Sequence, residues 1–244
     1  MAGREARPTK QPPMDTLVRH RRLPHWDVPG ATYFITSCLA DSIPAKGLLD
    51  IASFRHALDN RERPGEMAPE LWRYHRDKLT FGRTDRWLDS DPAVRHLADR
   101  RLAQVVVDAM FHFAGERYDL LAYVVMPSHI HWVFQPTEAW VRTLGPTCES
   151  RTPRERIMHS LKTRTARACN HLLALSGAFW QGESYDHWVR DEDELYRIIA
   201  SVEQNPVKAG LVADPDGWAF SSARLRAQFG IPFGEAIPRA RLAL

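Results

Sequence analysis

His129 and His131 stand one residue apart in the stretch Tyr123-Val124-Val125-Met126-Pro127-Ser128-His129-Ile130-His131-Trp132-Val133-Phe134. Apolar runs flank the Pro127-Ser128 break, a pattern of strand, tight turn, strand. Side chains alternate between faces in a strand, so His129, His131, Val133 and Gln135 share one face. Ile130, Trp132 and Phe134 share the other. Two imidazoles then project from one rigid edge, anchored from behind by bulky apolar residues. Imidazole nitrogen suits a divalent transition metal, and this spacing offers two such ligands. The same spacing also fits two half-exposed histidines on a sheet, so the rest of the chain has to decide.

The elements around this stretch bound the answer. The chain has 244 residues, 44% hydrophobic and 26% charged, enough for one good-sized domain or a domain with an insertion. No apolar run reaches the length of a membrane span, and residues 1–10 are polar and basic, without the apolar core of a secretory signal. Cys38, Cys148 and Cys169 form no Cys-x-x-Cys pair, which excludes a recognisable zinc knuckle and fits a cytoplasmic location. The net charge of +3 is compatible with nucleic acid without requiring it.

Residues 1–22 read as a flexible basic arm, either simply solvated or resting on a phosphate backbone. Residues 30–39 form a first strand, rich in β-branched and aromatic residues. Residues 40–90 read as an insertion or cap, with short helical pieces at 50–58 and 70–79 broken by prolines and glycines. Asp91-Pro92 can open a helix whose apolar residues, from Leu97 to Phe113, recur at helical spacing. After the two central strands, residues 154–173 are helical in pattern. They carry Arg154, Arg156, Lys162, Arg164 and Arg167, either a solvated face or a surface for DNA phosphates. Residues 179–190 are extended. Asp191-Glu192-Asp193-Glu194 opens a further helix, with acids where the helix dipole favours them. Residues 217–222 read as a last short strand and residues 226–244 as a loosely packed tail. The order predicts an α+β fold, an antiparallel sheet with helices on one face, in a domain spanning residues 23–225.

Four pieces now stand in order: Thr32-Tyr33-Phe34-Ile35-Thr36; Val125-Met126-Pro127-Ser128-His129-Ile130-His131-Trp132; Phe179-Trp180-Gln181 with Tyr185-Asp186-His187; and Asn205-Pro206-Val207-Lys208-Ala209-Gly210-Leu211-Val212. Together with Trp218-Ala219-Phe220-Ser221-Ser222 they resemble the REP-associated tyrosine transposases, within the wider HUH group of single-strand DNA transposases. The resemblance covers about residues 17–225 and leaves residues 40–90 outside. It implies a ferredoxin-like fold, a magnesium or manganese site formed by His129 and His131 with a third ligand from the late helix, and single-stranded or hairpin DNA as partner. It also implies a homodimer and a tyrosine that attacks the scissile phosphate to leave a 5′-phosphotyrosine. A hard divalent ion neutralising a phosphate, and a covalent bond storing the phosphodiester energy, make that chemistry coherent.

The chain departs from the family at one position. The family tyrosine lies four residues before the Asn of Asn-Pro-Val-Lys, and here that position is Ser201. Ser201 and Asn205 are about 40° apart on a helical wheel and share a side, whereas Tyr196 is about 140° away from Ser201. Tyr185 is either a packing residue or a replacement nucleophile. Asn205 is either a metal ligand or a cap for the turn at Pro206. Asp186 and His187 either line the site or form a structural pair. Lys208 either touches phosphate or is solvated. Two functions stay open: a strand-cutting and joining enzyme, or an inactive descendant that binds DNA.

Overall fold

A short antiparallel pair, Leu17–His20 (β1) and Pro24–Asp27 (β2), precedes the main sheet. The computed structural model describes residues 17–20, 24–145 and 151–239. Most of the segment read as a basic arm, and Cys148, therefore lie outside the described residues, while Leu17–His20 is a paired strand rather than a free arm.

The core runs through Tyr33–Cys38 (β3), a helical segment, Tyr118–Val125 (β4), His129–Pro136 (β5), a second helical layer and Tyr185–Trp188 (β6). The strands lie in the order β4-β5-β3-β6 with antiparallel neighbours. With Arg100–Phe111 (α3) between β3 and β4 in the chain and Pro153–Leu173 (α5) between β5 and β6, this strand order is the ferredoxin-like one expected, with further helices added to both connections. Register fixes the histidines in the middle: His131 pairs with Thr36 of β3 and Val124 of β4, and His129 with Cys38.

Helices α3 and α5 pack on one face, and further helices cover the opposite face, whereas the sequence predicts helices on one face only. Leu102, Val106 and Met110 of α3 and Ile157 and Leu161 of α5 meet Ile35, Ile130, Trp132 and Phe134 from the sheet. Each such large side chain, removed from water, contributes about 1.5–3 kcal/mol. The α3 helix starts at Arg100, not at Asp91-Pro92, because the Asp99 carboxylate caps it by accepting from the Arg101 N–H at 2.9 Å. Between β5 and α5, residues Glu138–Thr143 form a short helix, α4. Thr152 and Glu155 complete a reciprocal capping box at the start of α5.

The other sheet face is covered by Glu192–Glu203 (α6), whose Ile199 and Val202 pack on Ala122, Val124 and Val133. Asn205–Lys208 (α7) follows. Residues 217–222 do not form a strand. Only Ser221 bridges to Val124 before Ser222–Phe229 (α8) begins, and that helix crosses residue 225. Arg226 is buried against Glu203 at 2.9 Å and Ile237 is buried, so residues 226–239 are anchored to the domain at these two points.

Residues 40–90 form two long helices, Ala45–Asp59 (α1) and Pro69–Ser90 (α2), instead of short pieces. Asp50 of α1 binds Arg83 and, at 2.8 Å, the Trp87 indole N–H of α2. Gly47 permits this approach: a Cβ there would lie 3.0 Å from the Trp87 and Ile43 side chains. These ties carry α2 through Gly82, a residue that weakens a helix by about 1 kcal/mol. Far from standing apart, α2 packs over β3, β5 and β6 on the histidine face. Among the described residues no helix is long and apolar enough to cross a membrane.

Candidate metal centre

His129 and His131 project from β5 onto the α2 side, while Ile130 and Trp132 enter the opposite core. Both imidazoles are fully covered, 0% and 2% exposed. Their Nε2 atoms are 3.0 Å apart. Each remaining ring nitrogen is held: His129 Nδ1 lies 2.9 Å from Ser128 Oγ, and His131 Nδ1 2.7 Å from Thr36 Oγ1. Ser128 donates its hydroxyl proton to the Leu88 carbonyl, so it accepts from His129 Nδ1–H. That assigns the His129 tautomer with a bare lone pair on Nε2, the form a metal ligand requires.

Two carboxylates come from α2. Asp85 Oδ1 is 3.4 Å from His131 Nε2, and Asp89 Oδ1 is 3.6 Å from His129 Nε2. Spaced i, i+4, they share one helix face. Ligand atoms of Asp85, His129 and His131 lie within 4.8 Å of one another. Burial, then the charge of neighbouring Asp85, pushes the Asp89 carboxyl up to about 7, and burial also raises Asp85. Burial pushes both histidines down to about 3, helped by His131 acting on His129 and by Lys208 acting on His131. A cation beside these neutral imidazoles would offset the crowding and burial of the carboxyls.

The residues fit such an ion. Asp85 Oδ1, Asp89 Oδ1 and Asn205 Oδ1 are buried without hydrogen-bond partners. Unpaired buried polar atoms are costly; Asp85 and Asp89 face His131 and His129, and Asn205 lines the cavity that Asp85 and His131 also line. Asn205 is 4% exposed and makes no cap for α7, so the capping alternative is not the one observed. Two imidazole nitrogens with carboxylate and amide oxygens form a mixed set suited to manganese or zinc, with magnesium better served by the oxygens alone.

A cavity of about 370 Å³ opens beside this cluster. His131, Asp85, Ser201 and Asn205 all line it, which brings the predicted ligand and the position of the family tyrosine to one place. Ser201 Oγ is 3.0 Å from Lys208 Nζ. Lys78 and Arg197 add positive charge to the wall. Tyr185 also lines the cavity, with its ring stacked 3.7 Å from Phe81 and its phenol raised well above the ordinary value, first by burial. Tyr196 is exposed and donates to Glu192 at 2.8 Å.

Asp186 and His187 do not form a pair. As strand neighbours they diverge, Asp186 to Arg154 at 2.9 Å and His187 into the cavity. The predicted DNA-binding residues also separate. Arg154 is 5% exposed and bound by Asp27 at 2.8 Å and by Asp186, so it holds β2, α5 and β6 together. Lys162 donates to the Gln181 carbonyl at 2.7 Å and to Ser184 at 3.0 Å. Arg156 is half-buried and donates to the Arg151 carbonyl at 3.2 Å. Arg164, Arg167 and Lys208 are exposed.

Among solved structures, the structure of the REP associates tyrosine transposase bound to a REP hairpin is similar to this chain. It matches with a TM-score of 0.49 and 18% identity over 91% of this chain and 93% of that one. Searches against protein-family models and against curated proteins gave no match.

Sequence reasoning missed Asp85, Asp89, Tyr74 and Glu194. The i, i+4 spacing of Asp85 and Asp89 was a readable signal, but it lies in a segment set aside as an insertion.

Proposed function

We propose that this protein binds single-stranded or hairpin DNA at the cavity and uses a divalent ion there to cut and rejoin strands. The observation that carries the reading is the Asp85, His129 and His131 group, of which Asp85 and His131 line a cavity together with Asn205, Lys78 and Arg197. The ordered sequence motifs that place His129, His131 and Asn205 at ligand positions add to it. A manganese or magnesium ion held by these residues would polarise a phosphate and stabilise the leaving oxygen. The chain's own residues do the remaining work. Thr36 and Ser128 fix the imidazole orientations, the cavity cations draw in the backbone phosphates, and Phe34 and Tyr185 offer ring faces for unpaired bases.

A second reading keeps DNA binding without cutting. It is favoured by Ser201, whose hydroxyl is occupied by Lys208, and by the complete cover that α2 places over both histidines. Incubation of the full chain with hairpin-bearing single strands and manganese, read on denaturing gels, separates the two. A covalent protein–DNA adduct is expected. Retention of DNA with no cutting would favour the binder. Preference for blunt duplex, or binding indifferent to salt, would remove the DNA assignment. A cytoplasmic location and a homodimer belong to the same proposal and are checked by fractionation and by light scattering.

A further inference from the structure

A second constellation lines the same cavity and comes from residues outside the metal cluster. Tyr74 of α2 places its hydroxyl 2.8 Å from His187 Nδ1. His187 Nε2 lies 3.1 Å from Glu194 Oε1. Tyr74, His187 and Glu194 line the cavity together with His131 and Asp85. Each member is fixed from a different element. Glu194 sits in the first turn of α6, where its other oxygen accepts from the Arg190 N–H at 2.9 Å. His187 is locked in β6 opposite Phe34. The Arg190 guanidinium lies 4.3 Å from the centre of the Tyr74 ring.

The protonation pattern follows from these contacts. Burial works against the Glu194 carboxylate, but contact with His187 and the Arg190 N–H hold it down at about 2. The Glu194 carboxylate lies 3.1 Å from Nε2 without hydrogen-bond geometry, and its charge favours the tautomer with the proton on Nε2. Nδ1 then carries the lone pair, and the Tyr74 hydroxyl donates to it. Burial pushes the Tyr74 phenol up to about 12, so the phenol does not ionise in advance and needs a base during attack. An oxygen nucleophile, an imidazole base and an orienting carboxylate are the parts of nucleophilic catalysis, and such sets are recognised by geometry rather than by chain position.

We infer that Tyr74 is the nucleophile of this cavity, with His187 as its general base and Glu194 as the residue that positions His187. The inference rests on the DNA-processing reading above, and it places the nucleophile on the helix that the family resemblance leaves out. Tyr74 Oη attacks the phosphorus of a DNA phosphodiester. The Oη–P bond forms, the P–O3′ bond breaks, and its electron pair leaves with the 3′ oxygen. The phenolic proton passes to His187 Nδ1, the departing 3′ oxygen takes a proton from solvent, and His187 returns its own to solvent. The products are a 5′-phosphotyrosine and a free 3′ hydroxyl. Attack by a 3′ hydroxyl on that ester runs the same steps backwards, rejoins the strand and restores Tyr74. No oxidant or reductant takes part.

Two measurements test this. In the metal-free protein, a small dialkyl fluorophosphate should phosphorylate Tyr74 with loss of fluoride. Peptide mass spectrometry should find Tyr74 labelled in preference to Tyr185 and the exposed Tyr196. His187→Gln should slow that labelling on the order of a hundredfold. With hairpin-bearing single strands and manganese, the adduct should map to Tyr74. Tyr74→Phe should abolish it while DNA retention and the circular dichroism spectrum stay unchanged. Glu194→Gln should slow adduct formation at saturating DNA without moving the half-saturating DNA concentration, a split that a merely structural role would not produce. Labelling no faster at Tyr74 than at Tyr196, or an adduct that maps elsewhere or survives Tyr74→Phe, overturns the inference. Free cut product without an adduct also overturns it, while leaving DNA processing in place. Selective labelling of Tyr74 with no cutting of any hairpin strand supports the nucleophile and counts against DNA as its substrate.

Discussion

Ser128 couples His129 to the helix above it. Its hydroxyl donates to the Leu88 carbonyl of α2 at 3.1 Å and accepts from His129 Nδ1 at 2.9 Å. The same oxygen therefore sets the tautomer of His129, a candidate metal ligand, and ties down the helix that carries Asp85 and Asp89. Ser128→Ala removes both. The expected result is a tenfold to hundredfold loss of manganese affinity by calorimetry, about what is seen when partners of metal ligands are removed. Unchanged affinity would show that His129 is oriented without Ser128.

Asp89 puts function against stability. Its Oδ1 is buried without a hydrogen-bond partner, and Asp85 stands beside it. Asp89→Asn removes a buried charge at nearly constant shape. The metal-free protein should gain on the order of 1 kcal/mol in denaturant unfolding, while manganese binding weakens. If the variant lost stability and bound manganese as before, Asp89 would be structural and not a ligand.

Lys162 gives a pH dependence with a defined sign. Burial holds its ammonium down at about 8 against an ordinary 10.5. Between those values the unfolded chain binds the proton more readily than the folded one, so stability from this group rises with pH across that window. Below pH 8 the buried charge costs on the order of 3 kcal/mol. Other groups also titrate at high pH, and comparison with Lys162→Met isolates this one. Wild type should gain stability relative to the variant from pH 8 to 10.5. A constant difference across the range would mean that Lys162 is not desolvated in solution.

The basic helix α5 divides into a structural and a binding part. Arg154→Ala removes the cation that the buried Asp27 and Asp186 carboxylates share, a loss of about 3–5 kcal/mol in unfolding. Exposed Arg164 and Arg167, reversed to Glu, should leave the unfolding free energy within about 0.5 kcal/mol and weaken single-strand binding. The double variant should also flatten the dependence of binding on salt. Equal destabilisation by both changes would refute the division.

Much of this was legible in the sequence, and the part that was not has a common cause. Alternation in β5 placed His129 and His131 on one face, and helical spacing placed Ser201 and Asn205 on one side, because both are local periodicities. Asp85, Asp89 and Tyr74 were not legible as site residues. Prolines and glycines between 44 and 82 read as breaks, yet α2 runs through Gly82, held by Asp50, Arg83 and Trp87 across an interhelix contact. The ion pairs of Arg154 were hidden for the same reason. A cation on a helix looks solvated until the strands supplying Asp27 and Asp186 are placed beside it.

The family position of the nucleophile can be tested against the one inferred on α2. Ser201 and Asn205 line the same cavity as Tyr74, and Lys208 sits 3.0 Å from the Ser201 hydroxyl. In a Tyr74→Phe background the cavity keeps His131, Asp85 and its cations but lacks the inferred attacking group. Adding Ser201→Tyr returns a phenol from α6, next to a lysine that favours its ionised form. The double variant should recover a covalent adduct with manganese and hairpin strands, mapped by mass spectrometry to position 201. The rate should be well below that of wild type, because His187 serves position 74 and small misplacements of reacting groups cost about a hundredfold. Intact DNA retention with no adduct would show that position 201 no longer faces the scissile phosphate. An adduct at 201 as fast as wild type would show that the metal cluster alone activates a phenol, and His187 and Glu194 would lose their part in the step.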